Sequence, residues 1–164
     1  MNLLFYISAV VAVISTFMVI TRSRAVHALL YLIVSLLAVA LIFFTLGAPF
    51  VAALEVIIYA GAIMVLFVFV IMMLNLGSQA AEQEAQWIRP KIWIGPSILC
   101  AILAVELIFM FTAGRERLPA VAMVTPKQVG IALFGPYVIG VELASMLLLA
   151  GLIGAYHLGR PHKH

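Results

Sequence analysis

Charged residues are scarce in this sequence. Asp, Glu, Lys and Arg make up 9% of the 164 residues, whereas hydrophobic residues make up 66% and the mean hydropathy is +1.27. A soluble globular domain contains roughly 25% charged residues. A water-soluble domain of this size could not bury so much apolar surface. The composition therefore excludes an ordinary soluble domain and indicates an integral membrane protein.

Cysteine is nearly absent, and this limits the chemistry that the chain could carry. The single cysteine, Cys100, lies in an apolar run and has no second cysteine for a disulfide. No cluster of Cys and His has the spacing of a zinc or iron–sulfur site. The nine basic residues are scattered in small groups rather than gathered in a nucleic-acid-binding patch. We therefore expect no cofactor, no metal site, no catalytic residue and no nucleic acid partner for this chain itself.

The short polar and apolar alternation of a membrane β-barrel is also missing, and long continuous apolar runs take its place. Each run is long enough to cross a hydrocarbon core of about 30 Å at about 1.5 Å per residue. The sequence predicts an all-α polytopic protein in which one domain carries five transmembrane helices. The expected segments are residues 3–20, 26–46, 51–76, 92–113 and 129–158.

The basic residues also predict an orientation. With five spans, six of the nine Lys and Arg residues lie on the side that holds the C-terminus, and three lie on the other side. Basic residues favour the cytoplasmic side of a membrane. We therefore expect the N-terminus outside and the C-terminus in the cytoplasm.

Three glutamates, Glu55, Glu106 and Glu142, lie inside predicted spans. Asp, Lys or Arg at a helix centre costs about 2.5–3.5 kcal/mol on insertion scales, so a carboxylate at this depth calls for an explanation. Counted along each segment, Glu55 is about 6 Å deep and Glu142 about 17 Å deep, near the midplane. Glu55 could snorkel, bond to a neighbouring helix or line a hydrated path. A polar path is favoured for Glu142, and Glu106 lies nearer the outside.

The third segment has further unusual features. Tyr59 follows Glu55 by four residues on the same helical face, and Ala60, Gly61 and Ala62 come next. Small residues of this kind most often serve helix packing. The run is long enough to cover about 39 Å, more than the hydrocarbon core requires. This slack allows a tilt, a kink or a π-bulge, and the sequence leaves all three open.

Five sequence motifs together resemble a known family over nearly the whole chain. They are HALLYL at 27–32, LEVIIYAGAIMVLFVF at 54–69, MLN at 73–75, LFGPY at 133–137 and VELASMLLLAG at 141–151. The motifs closely resemble the J-subunit family of the bacterial NADH-quinone oxidoreductase, respiratory complex I. The motif in the third segment is the most specific of them.

The resemblance implies a five-helix subunit of the membrane arm, in the inner membrane of a bacterium. With the orientation expected from the basic residues, its N-terminus would be periplasmic. Such a subunit packs among the quinone-site subunit, the small K-type subunit and the antiporter-like subunits, within the lipid bilayer. It contributes no active site of its own. The FMN, iron–sulfur clusters and quinone of the complex are expected in other subunits.

The resemblance also implies which residues matter. In this family the third helix can carry a π-bulge around the positions of Tyr59, Gly61 and Val65, and its straightening is associated with a water path for protons. Glu55 and Glu142 match acidic positions of the family pattern, whereas Glu106 matches none. The leading hypothesis is a role in the proton path and in coupling for Glu55, Tyr59, Gly61, Val65 and Glu142. An accessory subunit of a multisubunit cation/proton antiporter and a passive spacer between larger subunits are the alternatives.

Overall fold

The computed structural model describes residues 3–22, 25–74, 90–112 and 123–160, and none of these lies in a strand. A π-helix, which we call the π segment, covers Glu55–Ile63. The α-helices are α1 (Leu3–Thr21), α2 (Ala25–Thr45), α3 (Pro49–Leu54), α4 (Met64–Leu74), α5 (Pro90–Thr112), α6 (Pro126–Phe134) and α7 (Val138–Gly159).

Five helical stretches in the described residues are long and apolar enough to cross a membrane. The third of them, Pro49–Met73, joins α3, the π segment and most of α4 into one span. The others are Leu3–Thr21, Ala25–Thr45, Trp93–Thr112 and Val138–Gly159. The prediction of an all-α protein with five spanning helices is confirmed.

A tight turn joins α2 to the third span. Gly47 adopts φ 81°, a left-handed conformation that glycine reaches without steric cost. Its N–H donates to the carbonyl of Phe44 at 3.1 Å, and the N–H of Ala48 donates to Phe43 at 3.0 Å. Pro49 then begins α3, where the first turn needs no N–H donor. The turn therefore makes α2 and the third span antiparallel neighbours.

The chain divides into two compact units, Met1–Met123 and Val124–His164. In the first unit, α1 and α2 pack closely, and α5 contacts both of them. One cluster of buried residues joins these three helices, and its members are Val11, Ala12, Val34, Ala38, Leu41, Leu103 and Met110. Ala38 has no exposed surface, so a small side chain sits where the helices come closest.

Hydroxyl groups also join α1 to α2. Thr16 Oγ1 and Ser35 Oγ are 2.8 Å apart, and Ser35 Oγ donates to the carbonyl of Ala12 at 3.4 Å. Ser35 is buried, so its hydroxyl bonds to α1 rather than to solvent while the helices remain packed. The contacts therefore fix how α1 and α2 are rotated against each other.

Ser35→Ala is expected to weaken the pairing of α1 and α2. Hydrogen bonds between membrane helices contribute about 0.6 kcal/mol on average, with a maximum of about 1.7 kcal/mol. The measurement is the thermal stability of the assembled protein in a double-mutant cycle with Thr16→Val. Ser145→Ala is the matched control, because the Ser145 hydroxyl donates to Val141 in its own helix at 2.9 Å. Equal losses from Ser35→Ala and Ser145→Ala would contradict an interhelical role.

The second unit contains α6 and α7. Thr125 begins α6 with a capping box: its side chain accepts from the N–H of Gln128, and the Gln128 side chain accepts from the N–H of Thr125. A turn at 135–137 separates the two helices. The expected fifth segment, 129–158, is therefore two helices, and the membrane-length part is Val138–Gly159. The organisation of all five spans as one domain remains a prediction.

Candidate functional site

The third span contains nine consecutive residues in a π-helix, Glu55–Ile63. At its start the N–H of Glu55 still bonds the carbonyls of Val51 and Ala52. At its end the N–H of Met64 bonds Gly61 and also Tyr59, five residues earlier. π-Helices are rare, usually single-turn, and frequent at functional sites. Among the tilt, kink and π-bulge left open by the sequence, the structure contains π-helical winding.

Gly61 lies where the π-wound backbone approaches itself closely. A Cβ atom at this position would be 3.2 Å from the carbonyl oxygen of Val56, five residues earlier. Ordinary van der Waals contacts of a Cβ begin at about 3.4 Å. A larger residue would force that carbonyl to shift, so glycine suits this winding.

The structure brings three of the predicted site residues together, because Glu55, Tyr59 and Gly61 all belong to the π segment. Glu55 is half-buried, and Tyr59 is 49% exposed. Val65 lies beyond the π segment, in α4, and is 67% exposed. The predicted cluster is thus centred on one helical irregularity, with Val65 at its outer edge.

Met64 is the residue at this site that sequence reasoning missed. It follows the π segment directly and is only 2% exposed, whereas most of its neighbours in the third span are exposed. Methionine fills irregular gaps well because its side chain is flexible. A buried residue in an otherwise exposed stretch holds the end of the π segment against the bundle. Hydropathy could not reveal it, since every residue from Ile63 to Met73 is apolar.

An apolar groove of about 420 Å³ lies beside the π segment. Val56 contributes to it from the π segment, Ala52 and Ala53 from α3, and Leu41 from α2. The residues of α5 in its wall are Cys100, Leu103, Ala104, Leu107 and Phe111. The groove leaves space on one side of the π segment into which side chains could move.

Glu142 belongs to the second unit. It lies four residues after the start of α7 and is exposed. Along α7 this is about 6 Å from the start of the helix, whereas the expected depth of about 17 Å was counted along one continuous fifth segment, and that depth stays a prediction. The turn at Gly135 and Pro136 ends α6, so the membrane-length helix starts nine residues later than the predicted segment.

Glu106, to which sequence reasoning gave no role, is the most secluded of the three glutamates. It is 4% exposed and accepts a hydrogen bond from Ser8 of α1 at 2.8 Å. Ser8 and Ser15, seven residues apart on α1, are both fully buried. Two serines on one helical face of α1 were a sequence signal for a polar contact, but they did not identify Glu106 as the partner. Within the described ranges, no three His, Cys, Asp or Glu side chains could together hold a metal ion.

Comparison with known proteins places this sequence in a family. Residues 15–158 match the family described as NADH-ubiquinone/plastoquinone oxidoreductase chain 6. The chain is 55% identical to NADH-quinone oxidoreductase subunit J of Escherichia coli K12 over 163 residues, covering 99% of this chain and 89% of the relative. Identity to the subunit J of Pseudomonas aeruginosa is 59% over 165 residues, covering 98% and 97%. The subunit J of Buchnera aphidicola subsp. Schizaphis graminum is 49% identical over 163 residues, covering 99% and 100%.

The match begins within α1, includes the next three spanning helices in full and ends in the last turn of α7. It also includes the whole π segment and all three glutamates. This chain is a multi-pass membrane protein and belongs to the NADH-ubiquinone/plastoquinone oxidoreductase chain 6 family.

Proposed function

We propose that this chain is a membrane-arm subunit of a proton-pumping NADH:quinone oxidoreductase, in which the π segment couples quinone reduction to proton translocation. The relatives named above are subunits of NADH-quinone oxidoreductases, and they align with nearly the full chain. The observation that carries the coupling role is the π-helix at Glu55–Ile63 inside a spanning helix. Coupling requires an element with two arrangements that distant events can bias.

The π segment can supply two such arrangements. In an α-helix each residue turns the chain by about 100° and advances it by about 1.5 Å. Rewinding the π segment to α geometry by one residue would therefore rotate α4 by about 100° relative to α3. Val65 would move from one side of the helix to another. The burial of Met64 opposes this rotation, whereas the groove beside Val56 leaves space for side chains that move during it.

The polar residues are proposed as stations of a proton path. Glu55 and Tyr59 lie in the π segment, so a change in its winding alters the direction in which both side chains point. Glu142 is exposed four residues after α7 begins and can face a neighbouring subunit or its water. A carboxyl group can hold a proton, and a phenol can relay one through its hydroxyl.

The chain would lie among other subunits of the complex. Its neighbours would be the quinone-site subunit, the small K-type subunit and the antiporter-like subunits. The membrane would be the bacterial inner membrane, with a periplasmic N-terminus and a cytoplasmic C-terminus. FMN, iron–sulfur clusters and quinone would be bound elsewhere in the complex, and this chain would have no active site of its own.

A passive spacer is the main competing function. A spacer has no need of an irregular helix, and a nine-residue π-helix is a departure from the regular α-helix that packing alone would favour. An accessory role in a cation/proton antiporter has no structural feature in its favour. The relatives are instead named for NADH-quinone oxidoreductase.

Membership of the complex is tested on native gels. An affinity-tagged form of this chain is expected to migrate with a large assembly that stains for NADH dehydrogenase activity. Deletion of its gene should remove most inhibitor-sensitive NADH:quinone reduction from the membranes, because the membrane arm would be incomplete. Migration with an assembly that lacks this activity would contradict membership.

A further inference from the structure

A single hydrogen bond joins α5 to α1 inside the first unit. Ser8 Oγ is 2.8 Å from Glu106 Oε2, although the residues are 98 positions apart. Ser8 is 1% exposed and Glu106 is 4% exposed. The second carboxyl oxygen, Oε1, is buried and has no hydrogen-bond partner among the described residues. The site thus holds a carboxyl group with one oxygen that is hydrogen-bonded and one that has no described hydrogen-bond partner.

The surroundings of this carboxyl group are apolar. Leu103 and Met110 lie about one helical turn before and after Glu106, and both are buried. Val11 of α1, about one turn after Ser8, belongs to the same core cluster. A carboxylate anion here would have one neutral hydrogen-bond donor, and its other neighbours would be apolar side chains.

Charged partners lie elsewhere. The described ionisable side chains on the three packed helices α1, α2 and α5, apart from Glu106, are Tyr6, Arg22, His27, Tyr31 and Cys100. Arg22 is about 21 Å from Ser8 along α1, and its guanidinium lies 5.6 Å from the ring centroid of Tyr31. Tyr6 is half exposed and precedes Ser8 by two residues, which places it on another face of α1. His27 lies eight residues before Ser35, which contacts Thr16, so it lies toward the Arg22 end of α1 and away from Ser8. None of the described cations is therefore placed to stabilise an anion at Glu106.

A buried charge needs water, a counter-ion or several donors, and Glu106 has one hydroxyl. Protonation of Glu106 to the neutral acid removes the charge. The hydrogen bond to Ser8 is kept, because the Oε2–H group can donate to Ser8 Oγ, and a hydroxyl oxygen accepts as well as donates. Oε1 is then a carbonyl oxygen without a donor, a smaller loss than an uncompensated anion.

We propose that Glu106 and Ser8 form a proton-binding site, separate from the π segment, in which the Glu106 carboxyl holds a proton at neutral pH. Both side chains are closed off from solvent by the packing of α1 and α5. The proton exchanges with water only when these helices part. Ser8 lies near the start of α1 and Glu106 near the end of α5, so exchange opens toward the membrane side that holds the N-terminus.

Infrared spectroscopy of the intact complex in liposomes at neutral pH tests this proposal. Glu106→Gln is expected to remove one carboxylic acid C=O band from the wild-type spectrum. In the wild type, that band shifts to lower wavenumber in D2O. Ser8→Ala should keep the band but move it to higher wavenumber, because the C–O–H group loses its partner, and should speed its shift in D2O. Ser145→Ala, whose hydroxyl bonds its own helix, should change neither.

Two results would overturn the proposal. If Glu106→Gln removes carboxylate bands instead, Glu106 is an anion. If Ser8→Ala leaves the acid band and its exchange rate unchanged, Ser8 is not its partner. Should Glu106→Gln lower assembly, the Ser8→Ala spectrum still decides, since the shift is read on a complex that retains Glu106.

Discussion

Gly61→Leu is expected to lower the proton-pumping rate about tenfold while NADH oxidation by a water-soluble acceptor stays at the wild-type rate. In the π segment any Cβ at position 61 is 3.2 Å from the Val56 carbonyl, and the leucine side chain adds bulk to that contact. Leucine also favours regular helix over glycine by about 1 kcal/mol. A bias of about 1.4 kcal/mol toward α winding shifts a two-state equilibrium tenfold. Under the proposed function electron input takes place in other subunits, so it should not change.

The loss of proton pumping should increase with the size of the side chain introduced at position 61. Gly61→Ala adds only the Cβ, so it is expected to change pumping in the same direction by a smaller factor. Gly130→Leu is the matched control, because a Cβ at Gly130 of α6 meets no atom within 4 Å. It should leave both pumping and NADH oxidation near wild type.

The measurements are proton uptake by inverted membrane vesicles, NADH oxidation with the soluble acceptor, and native gels for assembly. A fully assembled Gly61→Leu complex that pumps at the wild-type rate would rule out a two-state role for the π segment. If the loss of pumping is proportional to the loss of assembled complex, the result would instead favour a passive spacer function for this chain.

Gly95→Ala is expected to destabilise the first unit by about 1–3 kcal/mol, the usual cost of overpacking. Gly95 of α5 packs against the hydroxyl end of Tyr31 of α2. A Cβ at Gly95 would overlap the Tyr31 Oη atom and lie 3.2 Å from its Cζ. Tyr31 is 6% exposed and has the Arg22 guanidinium over its ring, so it has little freedom to move away.

The same contact provides a rescue experiment. Tyr31→Phe removes the overlapping oxygen, so Gly95→Ala combined with Tyr31→Phe should recover most of the lost stability. The measurement is the temperature at which the assembled complex dissociates in mild detergent. Gly140→Ala in α7 is the control, since its new Cβ meets nothing within 4 Å. No recovery in the double variant would show that the overlap with Tyr31 is not the cause.

Hydropathy predicted the five spans because each needs only a long apolar run, a local property of the sequence. Hydropathy placed the start of the fifth span too early. Residues 129–134 are apolar enough to merge with the next helix in such a pattern, but Gly135 and Pro136 end α6 before Val138 begins α7. Reading that pair of residues as a complete break would have corrected the boundary.

The candidate site was predictable only in part. The glycine and the excess length of the third segment allowed a π-bulge, yet the choice of winding depends on contacts such as the burial of Met64. The pair of Ser8 and Glu106 was out of reach for a similar reason. Its formation depends on how α5 is rotated against α1, and no pattern within either helix sets that rotation.

The turn at Gly47 also bears on biogenesis. With only residues 46–48 between them, the facing ends of α2 and the third span can be separated by at most about 14 Å, even while the chain is being inserted. They are therefore suited to enter the bilayer together as a helical hairpin. Glu55 would then cross into the lipid already beside α2, rather than on a lone helix surrounded by acyl chains.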